Sequence, residues 1–438
     1  MHKTNLQEQH LRTFFFAALK AVAPQYLIPA FMKMKSEKLI VGDEIIDLSV
    51  VRNIYLAGAG KAALQMGAAI ETILNRSITE GLLVIRDEVP TNQVHSRIIK
   101  GGHPLPDQNS LLAATEITKL IRRAGREDLV IFLISDDASA LLTDLPGEIS
   151  LENLVDVFQL LSRSGASITE LNTVRKHLSA IKGGQLIKHA PEARWLTLTI
   201  SDVIHDDLQV IGLGFTVGDP TIFSDALEVL HRYQLHDKIP VAVREYLNQG
   251  VSGKIADTPK PGDALFKRSS IHLIGTNSLA CRAAAAAATQ YGYTVDYIPE
   301  HFNGHAESIA HEMVDRIRAV PAGEKTCLIA GGETSVVIRG KGKGGRNQQL
   351  ALAAAIEIEG SYGISLLAAG TDGSDGPTDA TGAIVSAQTM ATTKERGMDA
   401  QAYLDSNDAY TLFKETGGLV FTGPTGTNVM DIIIAVKE

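Results

Sequence analysis

Apolar and polar positions follow a repeating rhythm along most of this chain. Short apolar runs of strand length are each followed by segments whose apolar residues recur at helical spacing. Val51 to Leu56, Gly81 to Ile85, Leu129 to Ile134 and Leu196 to Ile200 read as buried strands, and Lys61 to Leu74, Leu111 to Arg123 and Leu151 to Leu161 as helices. This alternation predicts βαβ units and a largely parallel sheet. Residues 5 to 36 precede it as helices broken at Pro24 and Pro29. Residues 249 to 267, polar and rich in Gly, Pro and Lys, form the best linker candidate. The alternation then restarts with Ile271 to Ile274, a helix over the alanine run 283 to 288, Thr294 to Ile298, Thr326 to Ile329, the β-type run Ser335 to Ile338, and Ser365 to Ala368. The expected division is therefore an α/β domain over 1–248, a linker over 249–267 and a second α/β domain over 268–438.

Composition narrows the class. A chain of 438 residues exceeds one ordinary core, which suggests about two or three domains. A net charge of −9 argues against general nucleic-acid or membrane binding, so local basic loops are expected to serve small anions. Cys281 and Cys327 are the only cysteines, which excludes a disulfide framework and a cysteine zinc site and fits a reducing, cytoplasmic setting. The apolar stretch Phe14 to Ala23 is interrupted by Lys20 and is too short to span a membrane.

The densest candidate chemistry lies in residues 329 to 348, where Arg339, Lys341, Lys343 and Arg346 alternate with glycines before an alanine-rich helical segment. Glycines free backbone N–H groups to approach an anion, and the helix adds the positive end of its dipole, so phosphate handling is suggested; a solvated basic turn is the alternative. No Gly-Lys-Ser/Thr closes a Walker A loop. Gly58-Ala-Gly60-Lys61-Ala-Ala follows the first strand and opens a helix, the context of a dinucleotide turn, but the acid expected after the next strand is met only by Asp87 or Glu88. Lys61, a cation at a helix start, calls for an anion beside it unless it simply extends into solvent. Gly101 to Asp107 is a proline-stiffened turn whose His103 is either a substrate contact or a structural hydrogen-bonder. Asn172 to Gly184 brings Arg175, Lys176, Lys182 and two glycine amides near one helix, enough for a carboxylate or phosphate clamp. Asp202 and the loop Thr371 to Asp379 close strands, where carboxylates face a ligand crevice and hard oxygens suit Mg²⁺. An EF-hand reading of that loop fails because Ala383 stands at its twelfth position.

Taken in order, Gly58-Ala-Gly-Lys-Ala, Gly102-His-Pro-Leu-Pro-Asp, Asn172-Thr-Val-Arg-Lys-His-Leu-Ser, Lys182-Gly-Gly, Gly331-Gly-Glu-Thr, Gly340-Lys-Gly-Lys-Gly-Gly-Arg-Asn-Gln, Thr371-Asp-Gly-Ser-Asp-Gly-Pro-Thr-Asp and Thr422-Gly-Pro-Thr-Gly-Thr-Asn-Val closely resemble the glycerate 2-kinases of the MOFRL type. Members of that family have often carried the name hydroxypyruvate reductase. The resemblance covers nearly the whole chain. It implies two α/β domains, the first Rossmann-like with a largely parallel sheet, and an active site in the cleft between them. It implies ATP- and Mg²⁺-dependent phosphorylation of the 2-hydroxyl of D-glycerate or a related small hydroxy or sugar acid. On that resemblance Lys61 and Arg346 are the catalytic cations, in keeping with the charge that a transferring phosphoryl group carries. Neither lies in a core pattern, so replacing either is expected to lower kcat with little loss of stability.

The remaining roles follow from the same resemblance. Gly58, Gly60, Ser135, Ser139, Lys341, Lys343, Gly344, Gly345 and Asn347 are expected at the nucleotide and its phosphates. His103, Arg175, Lys176, Asp202, Asp136 and Asp137 are expected at the acceptor, and Glu333, Asp372 and Asp375 at Mg²⁺. Partners are then a hydroxy acid and a nucleotide, without nucleic acid or membrane, and with a homodimer left open. Two segments depart from the family. Ser135-Asp136-Asp137-Ala138-Ser139-Ala140-Leu141 stands where Ser-Gly-Gly-Gly-Ser-Ala-Leu is usual, so two carboxylates replace open amides and repel phosphate unless a metal or sugar hydroxyl intervenes. Leu213-Gly-Phe-Thr stands where Ser-Gly-Pro-Thr is usual. The competing readings are an NAD(P)H-dependent hydroxypyruvate reductase using Gly58 and Gly60, and a catalytically silent paralogue that binds a sugar acid.

Overall fold

The computed structural model describes residues 6–86 and 94–438; Asp87 and Glu88 lie outside the described residues. The chain forms two compact units, one of residues 28–274 and one of residues 1–27 with 275–438.

The 28–274 unit opens with a three-stranded antiparallel meander, β1 (Met32–Lys35), β2 (Lys38–Val41) and β3 (Glu44–Asp47). Its main sheet contains β4 (Ile54–Ala59), β5 (Glu80–Ile85), β6 (Arg97–Lys100), β7 (Leu129–Ile134), β8 (Arg194–Ile200) and β9 (Ser269–Gly275), in the order β6-β5-β4-β7-β8-β9. The β4/β5, β4/β7, β5/β6 and β7/β8 pairs are all parallel. β4 and β7 are buried along their whole length, as continuous apolar runs covered on both faces must be. Helices Leu151–Arg163, Ile168–His177, Phe223–Arg232 and Val241–Val251 pack on one another through Leu154, Val157, Val174, Phe223, Val229 and Val243 in a helical cluster beside the sheet.

The other unit holds β10 (Thr294–His305), β11 (Thr326–Ser335), β12 (Ile364–Gly370), β13 (Gly382–Ser386), β14 (Leu419–Val420) and β15 (Asp431–Lys437), in the order β10-β11-β15-β12-β13-β14. Only β10/β11 is parallel; the other pairs are antiparallel. The restarted alternation thus gives a mixed sheet, because the last strand of the chain inserts between β11 and β12.

Three expectations are corrected. Residues 1–27 belong with the C-terminal half, not with 28–248. Helix Leu6–Val22 buries Leu11, Phe14, Phe15, Ala18, Leu19 and Val22, an i, i+3, i+4 stripe, and packs on helix Asn277–Gln290, whose buried Ala280, Cys281, Ala284 and Ala288 permit close approach. Residues 249–267 are not a free linker but lie inside the 28–274 unit. There Thr258 is buried with its hydroxyl 3.2 Å from Asp219, and Asp219 N donates to Pro259 O at 2.8 Å. Finally, Ser335 to Ile338 is not a strand: β11 ends at Ser335, and Ile338 is 83% exposed.

Candidate active site

In the 28–274 unit the parallel sheet delivers its functional side chains at the carboxyl ends of its strands. His103 follows β6, Arg86 follows β5, Lys61 follows β4, Asp136 and Asp137 follow β7, and Asp202 follows β8. The chain runs outward from β4 through β5 and β6, then returns to build β7 and β8 on the other side. The gap between β4 and β7 is therefore the topological switch point where open α/β sheets bind ligands. Lys61 and the Asp136–Asp137 pair stand on its two sides.

The glycine turn before Lys61 has a different use from the expected nucleotide cradle. A Cβ on Gly58 would lie 2.7 Å from Leu133 Cβ, and one on Gly60, at φ +132, would lie 2.2 Å from Ser135 Oγ. Ala62 N donates to Ser135 Oγ at 2.9 Å and Lys61 N donates to Asp136 O at 2.8 Å. Both glycines and Ser135 therefore serve to seat the β4 turn against the end of β7. With these amides taken by the protein itself, the pyrophosphate contact of a dinucleotide turn is lost.

The anion sought beside Lys61 is supplied from within. Lys61 Nζ lies 3.5 Å from Asp136 Oδ2, while Asp137 faces Arg86 Nη1 at 3.3 Å and His103 Nε2 at 2.9 Å. Burial first, and the adjacent Asp136 carboxylate second, push the Asp137 carboxyl up to about 7. The residue sits in the left-handed region at φ +67. Arg86 was not among the expected site residues; a lone cation directly after the apolar run Gly81 to Ile85 was the available signal.

Arg175 and Lys176 do not act together. Consecutive helix residues point about 100° apart, and the two side chains go to different places. Lys176 is buried with its Nζ 3.4 Å from Asp219 Oδ1; Asp219 is itself fully buried and also accepts from Thr221 N and Oγ1. Lys176 is thus a structural counter-ion, which corrects its assignment to the acceptor. Arg175 Nη2 instead donates to Ser139 Oγ at 3.1 Å, and its guanidinium lies 5.0 Å over the Phe158 ring. Burial lowers its pKa to about 10. In the departing segment 213–216, Phe215 is buried 5.8 Å from the Phe132 ring and Thr216 bonds Thr197 at 3.0 Å, so that stretch is core.

In the other unit Arg346 opens the helix Arg346–Ile358. Its Nε donates to Asp431 Oδ2 at 2.6 Å, its Nη2 to Asp431 Oδ1 at 3.1 Å, and its Nη1 pairs with Glu333. Asp431 begins β15, in register with Gly332 of β11 and Gly370 of β12, so strand pairing brings this acid to the ends of both neighbours. Burial works against charge on Arg346, yet Asp431 and Glu333 outweigh it and raise its pKa. Burial likewise pushes Asp431 up despite the arginine beside it. Sequence reasoning missed Asp431; an acid placed directly before the apolar run Ile432 to Val436 was the signal.

The glycine and cation loop closes mostly on the protein. Asp375 Oδ1 accepts from Asn347 N at 3.0 Å and Nδ2 at 3.3 Å, and its Oδ2 accepts from Gln348 N at 2.8 Å. The helix start is thereby capped by an internal anion, and burial pushes Asp375 up to about 7. A Cβ on Gly345 would lie 2.3 Å from Asp375 Cγ, and Cβ atoms on Gly340 and Gly342 would meet Ser406 O at 2.3 Å and Asp408 Cβ at 2.4 Å. This corrects the expected phosphate contacts of Gly345 and Asn347 and the metal contact of Asp375. Lys341 and Lys343 remain exposed, Lys343 Nζ lying 4.3 Å over the Tyr410 ring, and Gly344 is half-buried. Of the expected Mg²⁺ ligands, Glu333 and Asp372 are half-exposed hard-oxygen donors near the Arg346–Asp431 pair, Glu333 being engaged by Arg346.

Residues 10–248 match the domain of unknown function DUF4147, and residues 326–431 match the MOFRL family. A glycerate 2-kinase of Pyrococcus horikoshii is 39% identical over 430 residues, covering 96% of this chain and 94% of its own. The crystal structure of a glycerate kinase from Thermotoga maritima superposes with a TM-score of 0.85 at 34% identity, covering 98% of this chain and 99% of the other. A protein of Agrobacterium vitis, provisionally named hydroxypyruvate reductase, is 38% identical over 386 residues, covering 86% of this chain and 85% of its own. With both domain patterns present and relatives of this identity matched nearly end to end, the chain belongs to the DUF4147 and MOFRL family of glycerate 2-kinases.

Proposed function

We propose that this protein is a glycerate 2-kinase, transferring the γ-phosphoryl of ATP to the 2-hydroxyl of D-glycerate or a closely related hydroxy acid. The observation that carries the reading is Lys61 at the switch point of the parallel sheet, where a ligand is received, in a chain whose relatives are named glycerate kinases. In the transfer, the acceptor oxygen bonds the γ-phosphorus and gives up its hydroxyl proton to solvent, and the bond from that phosphorus to the β-bridging oxygen breaks, releasing ADP. Lys61 and Arg346 stabilise the charge on the phosphoryl in passage. Asp431 keeps Arg346 charged and orients its fork. Lys341 and Lys343 are assigned to nucleotide phosphates. Arg175 is assigned to the acceptor carboxylate, and His103, Asp136, Asp137 and Asp202 to its hydroxyls. Glu333 and Asp372 would hold Mg²⁺, which when bound neutralises phosphate oxygens. A reducing, cytoplasmic setting accords with two buried free cysteines, Cys281 and Cys327.

Incubation with labelled ATP, Mg²⁺ and D-glycerate tests the reading, and labelled 2-phosphoglycerate is the expected product. Hydroxypyruvate-dependent NADH oxidation, with no hydroxy acid phosphorylated, would overturn it. The reductase reading is the weaker one, because Ser135 and Asp136 occupy the turn amides that a dinucleotide needs.

A further inference from the structure

Two cations in the 28–274 unit, the buried Lys182 and the half-buried Arg175, form no ion pair among the described residues. Lys182 is 2% exposed, and its Nζ makes one hydrogen bond among the described residues, to Thr143 Oγ1 at 3.5 Å. Arg175 forms no ion pair among the described residues, and its Nε is shielded from solvent with no hydrogen-bond partner. The Asp144 carboxylate, whose two oxygens accept from Ser179 Oγ and Ala180 N, acts on Lys182 without forming an ion pair with it. Burial pushes Lys182 down to about 7; the Asp144 carboxylate opposes this, and the Arg175 charge adds to it. Two like charges in one corner, with Asp144 alone to offset them from beyond ion-pair distance, favour a visiting anion.

Both cations converge on one short helix, Ala138–Leu141, and its flank at the carboxyl end of β7. Arg175 reaches Ser139, Lys182 reaches Thr143, and Thr143 Oγ1 is tied to Ser139 O at 3.1 Å. Ser139 and Arg175 are each half-buried, so the seat has an open side. One helical turn before Arg175, Asn172 has its side-chain oxygen buried and unpartnered. A small hydroxy acid carries the complement to all three groups, a carboxylate for the two cations and a hydroxyl to donate to Asn172.

We propose that Arg175 and Lys182 together form the carboxylate seat for the phosphoryl acceptor, with Asn172 receiving an acceptor hydroxyl; Lys182 takes the place that the sequence motif offered to Lys176. The proposal rests on the glycerate-kinase reading. Carboxylate and nucleotide phosphate are the two anions that such a seat could hold, and the kinetics separate them.

The test compares wild-type enzyme with Lys182→Met and Lys182→Arg, measuring kcat and KM for D-glycerate and for MgATP, with melting temperatures. Lys182→Met should raise the KM for D-glycerate roughly 10- to 100-fold, the loss of one charge-assisted contact, with kcat within about threefold and the MgATP KM unchanged. Lys182→Arg should recover most of that loss. An unchanged D-glycerate KM in a folded Lys182→Met, or a rise in the MgATP KM instead, overturns the seat while leaving the kinase reading intact. If Lys182→Met does not fold, Lys182→Gln is held to the same criterion. A wild-type enzyme that phosphorylates no D-glycerate overturns the underlying reading, and the seat with it.

Discussion

Arg346 and Asp431 are joined by a two-bond fork, Nε to Oδ2 at 2.6 Å and Nη2 to Oδ1 at 3.1 Å, although 85 residues separate them. The Asp431 side chain is 2% exposed, whereas that of Arg346 is 34% exposed. The arginine is thus held by a covered acid at its base while its charge stays accessible.

That fork revises the stability expected of an Arg346 variant. Arg346→Ala should lower kcat by about 10²-fold or more, the scale for one preorganised charge-stabilising group. It should also lower Tm, because Asp431 is left buried without its partner, at a cost of about 3–5 kcal/mol. Arg346→Lys keeps the charge and loses the fork, so its stability should fall between the two. A thermal melt of Arg346→Ala that matches wild type would refute the structural half of this assignment.

Lys61→Ala should behave differently. The turn around it is held by backbone bonds to Ser135 and Asp136 that survive the truncation. A drop in kcat of about 10²-fold is expected with a Tm near that of wild type. Wild-type turnover together with a collapsed Tm would make Lys61 a structural residue.

The Asp136 and Asp137 carboxylates sit among Lys61, Arg86 and His103, so this corner offers acceptors to hydroxyls instead of bare charge to phosphate. Asp136→Gly with Asp137→Gly should shift kcat/KM toward D-glycerate relative to four- or five-carbon sugar acids. Glycine also suits φ +67 at position 137, relieving about 1 kcal/mol of left-handed strain, so the double variant should fold. An unchanged acceptor ranking would place the pair outside the site.

Lys182 links stability to pH. Its pKa is lowered from 10.5 to about 7 in the folded protein, so between those values the unfolded chain binds more protons and stability rises with pH. Below about pH 7 both states are protonated, and the burial penalty is complete. Lys182→Met should therefore raise Tm without substrate, more at pH 6 than at pH 9. Equal differences at both pH values would show that Lys182 titrates normally.

Much of this protein is written locally. Leu129 to Ile134 is a continuous apolar run of strand length and becomes β7, and the glycine pair before Lys61 marks the turn that follows β4. Strand ends, and the side chains that follow them, are therefore legible because an apolar run and a glycine act on their immediate neighbours. The direction of a side chain around a helix, and the identity of the acid it meets, are decided by closure of the chain over long distances. Lys176 leaves the expected anion clamp because Asp219, 43 residues away, is carried to its side of the helix. Asp375 caps a helix start 28 residues before it, taking the place an incoming phosphate was expected to fill. Residues 1–27 leave the neighbouring sequence because the apolar stripe of Leu6–Val22 finds its close-packing partner in the alanine face of Asn277–Gln290. Composition and periodicity set what each segment must bury, but burial is satisfied only by a partner surface, and that partner is chosen when the whole chain folds.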